Sequence, residues 1–302
     1  MSDYHTSVLL DESVDLLNVK PDGIYVDSTM GAGGHSRAIL NKLTSNGHVF
    51  AFDQDLDAGQ NVILSDQFTL IQSNFRYIKQ FLKLYGIAAV DGIIADLGVS
   101  SHQLDQPERG FSFRFDAPLD MRMNVMSDVK AIDILLQYSE AQLVEIFSKY
   151  GEVRNSKTLA NAIVQKRSKM PLHSTFEFNR WLEPLILGPK PKYLAQVYQA
   201  LRIEVNQELQ ALQQLLEDGY DVLKPGGRMV IITFHSLEDR LVKHMFKFGN
   251  AEGTPIKDMY GHMEKPWKII TKDIVTPSTL EQKNNPRSKS AKLRVAEKVS
   301  QN

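Results

Sequence analysis

The sequence predicts an α/β protein. Its mostly parallel, Rossmann-like sheet is wound with helices, carries a C-terminal antiparallel edge strand and is interrupted by an inserted all-helical domain. Three observations predict this. Short apolar, β-rich runs alternate with helix-like stretches up to about Leu97, the pattern of parallel strands joined by crossover helices. A glycine-rich stretch, "DSTMGAGGHS" from Asp27 to Ser36, lies between the first strand and its helix. The fourth strand run ends near Gly98 and the fifth begins only after Val222, a gap far longer than an ordinary connection.

The strands read in order as "GIYVDS" (23–28), "GHVFAFDQD" (47–55), "FTLIQSNF" (68–75) and "VDGIIADLG" (90–98). A fifth follows a turn in "VLKPGGRMVIITFH" (222–235). Two more runs, "WKIITKDIV" (267–275) and "SAKLRVAEK" (290–298), suit an edge hairpin, because Leu293 and Val295 alternate with Lys292 and Arg294. Within the long gap, residues 105–125 read as loop, and helical periodicity then runs through 129–150, 155–170, 175–187 and 194–223. The last of these predicts one long helix returning to the sheet. The division expected is a sheet domain of residues 1–104 and 200–302 and an inserted helical domain of residues 105–199.

Composition narrows the function classes. Hydrophobic residues make up 42% and charged residues 24% of the 302-residue chain, the mix of a soluble globular protein. The N-terminus lacks the basic start and apolar core of a signal peptide, and no apolar run is long enough to span a membrane. With no cysteine, disulfides, thiol catalysis and cysteine metal sites are excluded, which fits a cytoplasmic location. The absence of an HExxH pattern adds to the expectation of no metal. A net charge of −1 means that any nucleic-acid contact needs local basic patches. Three candidates are Lys166, Arg167 and Lys169; Lys190 and Lys192; and Arg287, Lys289, Lys292 and Arg294.

The glycine turn is not a phosphate-binding P-loop, since no Lys-Ser/Thr follows its last glycine. It matches a dinucleotide fingerprint only in part, with Ser36 at the third small position. Asp27 ends the first strand beside the turn, where a carboxylate repels a pyrophosphate and favours an ammonium or sulfonium group. Asp53 ends the second strand, placed to accept ribose hydroxyls. S-adenosylmethionine meets both conditions. Gly31, Gly33 and Gly34 would admit the ligand, N–H groups near Gly34 and His35 would meet its carboxylate, and Phe75 would cover the adenine. The plainer alternative is that the glycines make a tight turn and Asp53 caps a helix.

Beyond the fourth strand, "ADLGVSS" places Asp96 where a methyl acceptor would meet the cofactor. An exocyclic amine is a weak nucleophile, and a carboxylate hydrogen-bonded to its N–H favours a more tetrahedral nitrogen. Asp96 and Ser100 equally read as turn caps. "ERGFSFRF" (108–115) interleaves Arg109 and Arg114 with three phenylalanines, which suits either base stacking or packing against the helical domain. In "FHSLEDR" (234–240), Ser236 and Asp239 resemble a capping box, and His235 remains a site candidate on the same rim.

Taken together, "HTSVLLDES", "DSTMGAGGHS", "FDQD", "DLGVSSHQLDQPERGFSFRFDAPLDMRMN", "YQALRIEVNQEL", "GGRMVIITFHSLEDR" and "NPRSKSAKLRVAE" resemble the bacterial 16S rRNA (cytosine-N4)-methyltransferase family, RsmH or MraW, in order from His5 to Lys298. The resemblance implies a class I methyltransferase fold and methyl transfer from S-adenosylmethionine to N4 of a decoding-centre cytidine in 16S rRNA of the small ribosomal subunit. It implies cofactor contacts at Gly33, Gly34, His35, Asp53, Phe75, Asp96 and Gln103. The catalytic candidates are Asp96, Ser100 and His235. A homodimer is left open. The sequence departs from the family pattern at Ser28, usually glycine, at His102, usually proline, and at "KPKYLAQVY", where a His-Pro-Ala-Thr-Arg-like segment is usual. Two other readings are a cofactor-loaded RNA-docking or protein-docking module without catalysis, which the intact acceptor-side residues disfavour, and a nicotinamide dehydrogenase, which Asp27 and the imperfect fingerprint disfavour.

Overall fold

The computed structural model describes residues 7–169, 174–255 and 265–300; His5 of the first motif and Met170 of one helical run lie outside them. Contacts divide the chain into two compact units, Met1–Gly98 with Leu209–Asn302, and Val99–Glu208.

The first unit is a seven-stranded sheet in the order β3-β2-β1-β4-β5-β7-β6. Its strands are β1 (Ile24–Asp27), β2 (His48–Asp53), β3 (Phe68–Gln72), β4 (Val90–Asp96), β5 (Leu223–Thr233), β6 (Trp267–Ile269) and β7 (Lys292–Lys298). The first five are parallel, and β7 runs antiparallel to both β5 and β6. The C-terminal strand is thus the reversed one, lying one place in from the edge with short β6 outside it. Apolar residues cover both faces, as a sheet with helices on each side requires. Tyr25, Ile94, Val230, Leu293 and Val295 pack on one side with α1 (Leu10–Leu17) and α2 (Gly34–Leu40). Val26, Phe52, Ile93 and Ile231 pack on the other with α3 (Ile78–Leu84). The stretch expected as a turn before the fifth strand is an irregularity inside it, since Val90 faces Leu223 while Gly92 faces Arg228.

The second unit holds α4 (Ser101–Asp105), α5 (Ala131–Gln137), α6 (Glu140–Lys149), α7 (Ser156–Lys166), α8 (Thr175–Leu182) and α9 (Lys190–Asn206). Ser139 and Ser174 cap α6 and α8 by accepting the Gln142 and Glu177 N–H groups. The stretch 105–125, expected as loop, has little regular structure but is not peripheral. Phe111, Leu119, Met121 and Met123 are buried in this unit's core with Phe147, Phe178 and Leu201.

The single long returning helix is two helices. α9 ends at Asn206, Gln207 takes the left-handed conformation at φ 50°, and α10 runs Glu208–Val222. Neither glycine nor proline marks the break. Asn206 explains it: its side chain accepts Met123 N–H at 2.7 Å and donates to Met121 and Arg202 carbonyls at 2.8 and 2.9 Å. The helix end serves the irregular chain beside it. In the sheet unit, α11 (Ser236–Phe248) stops at Gly249, and α12 (Thr279–Asn284) is capped by Ser278.

Asn206→Ala removes the partner of three backbone groups, so we expect it to destabilise the helical unit by about 2 kcal/mol, read as a lower denaturant midpoint. An unchanged midpoint would separate Asn206 from the helix break.

Candidate active site

Three carboxyl side chains stand at or near the ends of adjacent parallel strands: Asp53 on β2, Asp27 on β1 and Asp96 on β4. The register places Asp27 opposite Ala51 and Ile94, so all three share the carboxyl-end rim where open parallel sheets bind ligands. Local bonds hold each one. Asp27 accepts the Ser36 hydroxyl at 2.6 Å and the Thr29 N–H at 3.1 Å. Asp53 accepts Gly31 N–H at 2.8 Å and Asp55 N–H at 2.9 Å. Asp96 donates its backbone N–H to the Thr29 hydroxyl at 2.6 Å, while its Oδ1 is buried without a hydrogen-bond partner.

The electrostatics of the rim are one-sided. Burial pushes the Asp53 carboxyl up to about 6, against the pull of its two backbone N–H partners, and the charges of Asp55 and Asp27 push the same way. Burial also raises Asp96 well above the ordinary carboxylate range, and the charges that act on it, from Asp27, Glu238 and Glu281, are all negative. An anionic diphosphate here would add to that repulsion, whereas a cation would relieve it. A buried carboxylate oxygen without a donor, inside an acidic rim, fits a ligand with positive charge.

The glycine turn completes this rim. Gly33 precedes α2 at φ 77°, a conformation that favours glycine. A Cβ on Gly34 would sit 2.1 Å from the Ser7 hydroxyl, so the helix start packs directly against that residue. No side chain caps α2, consistent with N–H groups kept for an anionic ligand group. His35 is buried, its Nε2 has no partner, and burial lowers its pKa despite the nearby charge of Asp27. Phe75 opens a short 3₁₀ turn after β3 and is partly buried against the sheet's core.

The remaining candidates carry helix ends. Ser100 and Gln103 form a reciprocal capping box at α4: the Ser100 hydroxyl accepts Gln103 N–H, and Gln103 Oε1 accepts Ser100 N–H, both at 3.1 Å. The cap at α11 lies one residue earlier than the sequence suggests. It is His235 with Glu238, not Ser236 with Asp239. Buried Glu238 accepts Phe234 and His235 N–H groups at 2.8 and 3.3 Å, and its other oxygen lies 3.1 Å from His235 Nε2. Asp239 instead accepts Arg294 Nε at 2.7 Å and faces Lys292 at 3.4 Å.

That pairing corrects one basic patch, since two of its four members are neutralised within the fold. Lys190 is paired with Glu183, and Arg167 donates to the Tyr138 carbonyl at 2.6 Å. In "ERGFSFRF" packing prevails. Arg109 donates to the Arg122 and Met123 carbonyls, Phe111 is buried, and Phe113 meets Tyr198 edge-on. Sequence reasoning missed Thr29 and Glu238. Thr29 links Asp27 to Asp96 and carries no spacing signal; Glu238 could have been found from the three-residue spacing after His235.

The family model described as the MraW methylase family matches residues 2–299. The chain belongs to that family. Its sheet unit is accordingly a class I methyltransferase fold. It is 53% identical over 298 residues to the ribosomal RNA small subunit methyltransferase H of Cytophaga hutchinsonii, covering 98% of this chain and 99% of that one. It is 52% identical over 298 residues to the protein of that name from Flavobacterium johnsoniae, with 98% of each covered. Among solved structures, an rRNA methylase from Streptococcus thermophilus aligns over 96% of this chain and 95% of its own at 14% identity and a TM-score of 0.39.

A carboxyl whose folded pKa is raised stabilises the fold below its unfolded pKa and loses that contribution as pH rises through the folded value. For Asp53 the window runs from 3.8 to about 6. Asp53→Asn should therefore gain stability relative to the parent by about 2–3 kcal/mol between pH 4 and pH 7.5, read by urea unfolding. A constant difference would mean that the carboxyl is unperturbed.

Proposed function

We propose that this protein transfers a methyl group from S-adenosylmethionine to small-subunit ribosomal RNA, and that the acceptor is the N4 amine of a decoding-centre cytidine in 16S rRNA. Family membership across nearly the whole chain supports the coarser statement. The Asp96 Oδ1, buried without a hydrogen-bond partner and facing only negative charges, is the observation that carries the chemistry.

S-adenosylmethionine, when bound, supplies an electrophilic methyl on a cationic sulfur. The chain's residues supply position and charge. The uncapped start of α2 at Gly33, Gly34 and His35 takes the amino-acid end, Asp53 accepts the ribose hydroxyls, and Phe75 lies against the base. Gln103 keeps its place in the cofactor set as a family expectation. Asp96 is the catalytic residue. Its acidic surroundings hold a proton that a neighbouring positive charge releases, and the resulting carboxylate accepts a hydrogen bond from the acceptor N4–H. That bond draws the nitrogen lone pair out of conjugation and aligns it for in-line attack. Ser100 and His235 hold the starts of α4 and α11, and no proton is assigned to them. Among the described residues no helix is long and apolar enough to cross a membrane. A cytoplasmic location follows from the proposed substrate, the small ribosomal subunit.

Incubation with labelled S-adenosylmethionine and unmodified small subunits, followed by nucleoside mass spectrometry, should yield N4-methylcytidine; label on another nucleoside would reassign the acceptor, and no label would remove the activity. Asp96→Ala should lower turnover by at least about 100-fold with the thermal midpoint retained. Near-normal turnover would take Asp96 out of the reaction.

A further inference from the structure

The turn that starts α2 is built from residues that hold their own shape poorly. Gly31 and Gly33 take positive φ values of 49° and 77°, and glycine loses more conformational freedom on ordering than any other residue. The turn's own bonds are few: Gly33 N–H to the Met30 carbonyl at 2.7 Å, and Met30 N–H to the Phe52 carbonyl at 2.9 Å. Two side chains hold its carbonyls from outside. Asn61 Nδ2 donates to the Gly31 carbonyl at 3.1 Å. Arg37, in the first turns of α2, donates from Nη1 to the Ala32 carbonyl at 2.5 Å and from Nη2 to the Asn61 carbonyl at 3.4 Å. One guanidinium therefore spans the glycine turn and the β2–β3 connection, and the residue at the far end of that span bonds back to the turn.

We infer that Arg37 and Asn61 form a clamp that positions the glycine turn for the amino-acid end of S-adenosylmethionine. A trans peptide is planar, with its C=O and N–H pointing in opposite directions. Holding the Gly31 carbonyl toward Asn61 sends the Ala32 N–H the other way, and holding the Ala32 carbonyl toward Arg37 keeps the Gly33 N–H turned to the Met30 carbonyl. Asp53 completes the arrangement from β2 by accepting the Gly31 N–H. Arg37 is a positioning residue: its fork joins two carbonyls, a geometry that a lysine ammonium does not reproduce. Its charge is spent on those carbonyls. The clamp lowers the ordering cost of binding, so its loss weakens cofactor affinity and leaves the chemical step intact.

This inference rests on the cofactor reading above, and the test separates the two. Binding of S-adenosylhomocysteine and of 5′-methylthioadenosine, which keeps adenine and ribose but lacks the amino-acid end, is titrated calorimetrically with the parent, Arg37→Ala, Arg37→Lys and Asn61→Ala. Expected is a roughly tenfold weaker Kd for S-adenosylhomocysteine in Arg37→Ala, partial recovery in Arg37→Lys, and a roughly threefold loss in Asn61→Ala. The Kd for 5′-methylthioadenosine should stay within about twofold. In turnover, KM for S-adenosylmethionine should rise with kcat retained. Equal weakening of both ligands would mean general destabilisation and overturn the clamp, as would unchanged affinity in both alanine variants. If Arg37→Ala fails to fold, Asn61→Ala decides alone. Failure of the parent to bind either ligand would remove the cofactor reading and the clamp together.

Discussion

The constraint on which the site depends is electrostatic: three carboxyl groups, Asp27 buried and Asp53 and Asp96 partly so, at the ends of adjacent strands. Parallel strands in register bring Asp53, Asp27 and Asp96 to one rim. The charges acting on Asp96 are all negative, an arrangement that a cationic ligand relieves. A diphosphate beside Asp27 and Asp96 would add to that repulsion. The choice of cofactor is thus written into strand ends as much as into the glycine turn.

A division of labour runs through the surroundings. Asp27 is held by Ser36 and Thr29, and Thr29 in turn holds the backbone of Asp96. This chain of bonds sets the spacing of β1 and β4 at the reacting end without using the Asp96 carboxyl. Asp53 is shared: its backbone bonds brace the turn, and each of its oxygens has a second lone pair available to a ribose. Glu238 ties the end of β5 to the start of α11 and adds to the field on Asp96.

Much of this was legible in the sequence because it is local and periodic. Each of the seven strands lies within its expected run, and the helices of the second unit follow apolar spacing. Asp27 and Asp53 were read from the strand ends beside the glycine turn, and Asp96 from its place past the fourth strand. What escaped was decided by tertiary partners. The break at Gln207 comes from Asn206 bonding to a segment more than eighty residues earlier. The cap at α11 slips by one residue because Asp239 is drawn to Arg294 of β7. The stretch 105–125 has no periodicity to betray its burial, since irregular chain can bury every second or third side chain without a repeat. The basic patches looked free because a sequence does not show which carboxylate will face them.

The position of β7 has a consequence for how the protein is made. That strand lies inside the sheet, between β5 and β6, and Lys298 at its end reaches back to the Tyr220, Asp221 and Leu223 carbonyls. The outermost strand has nothing to pair with until residues 292–298 arrive. Synthesis must run past them, and those residues must clear the exit tunnel, before the sheet can close. The outer flank of the sheet therefore stays open until β7 has been made.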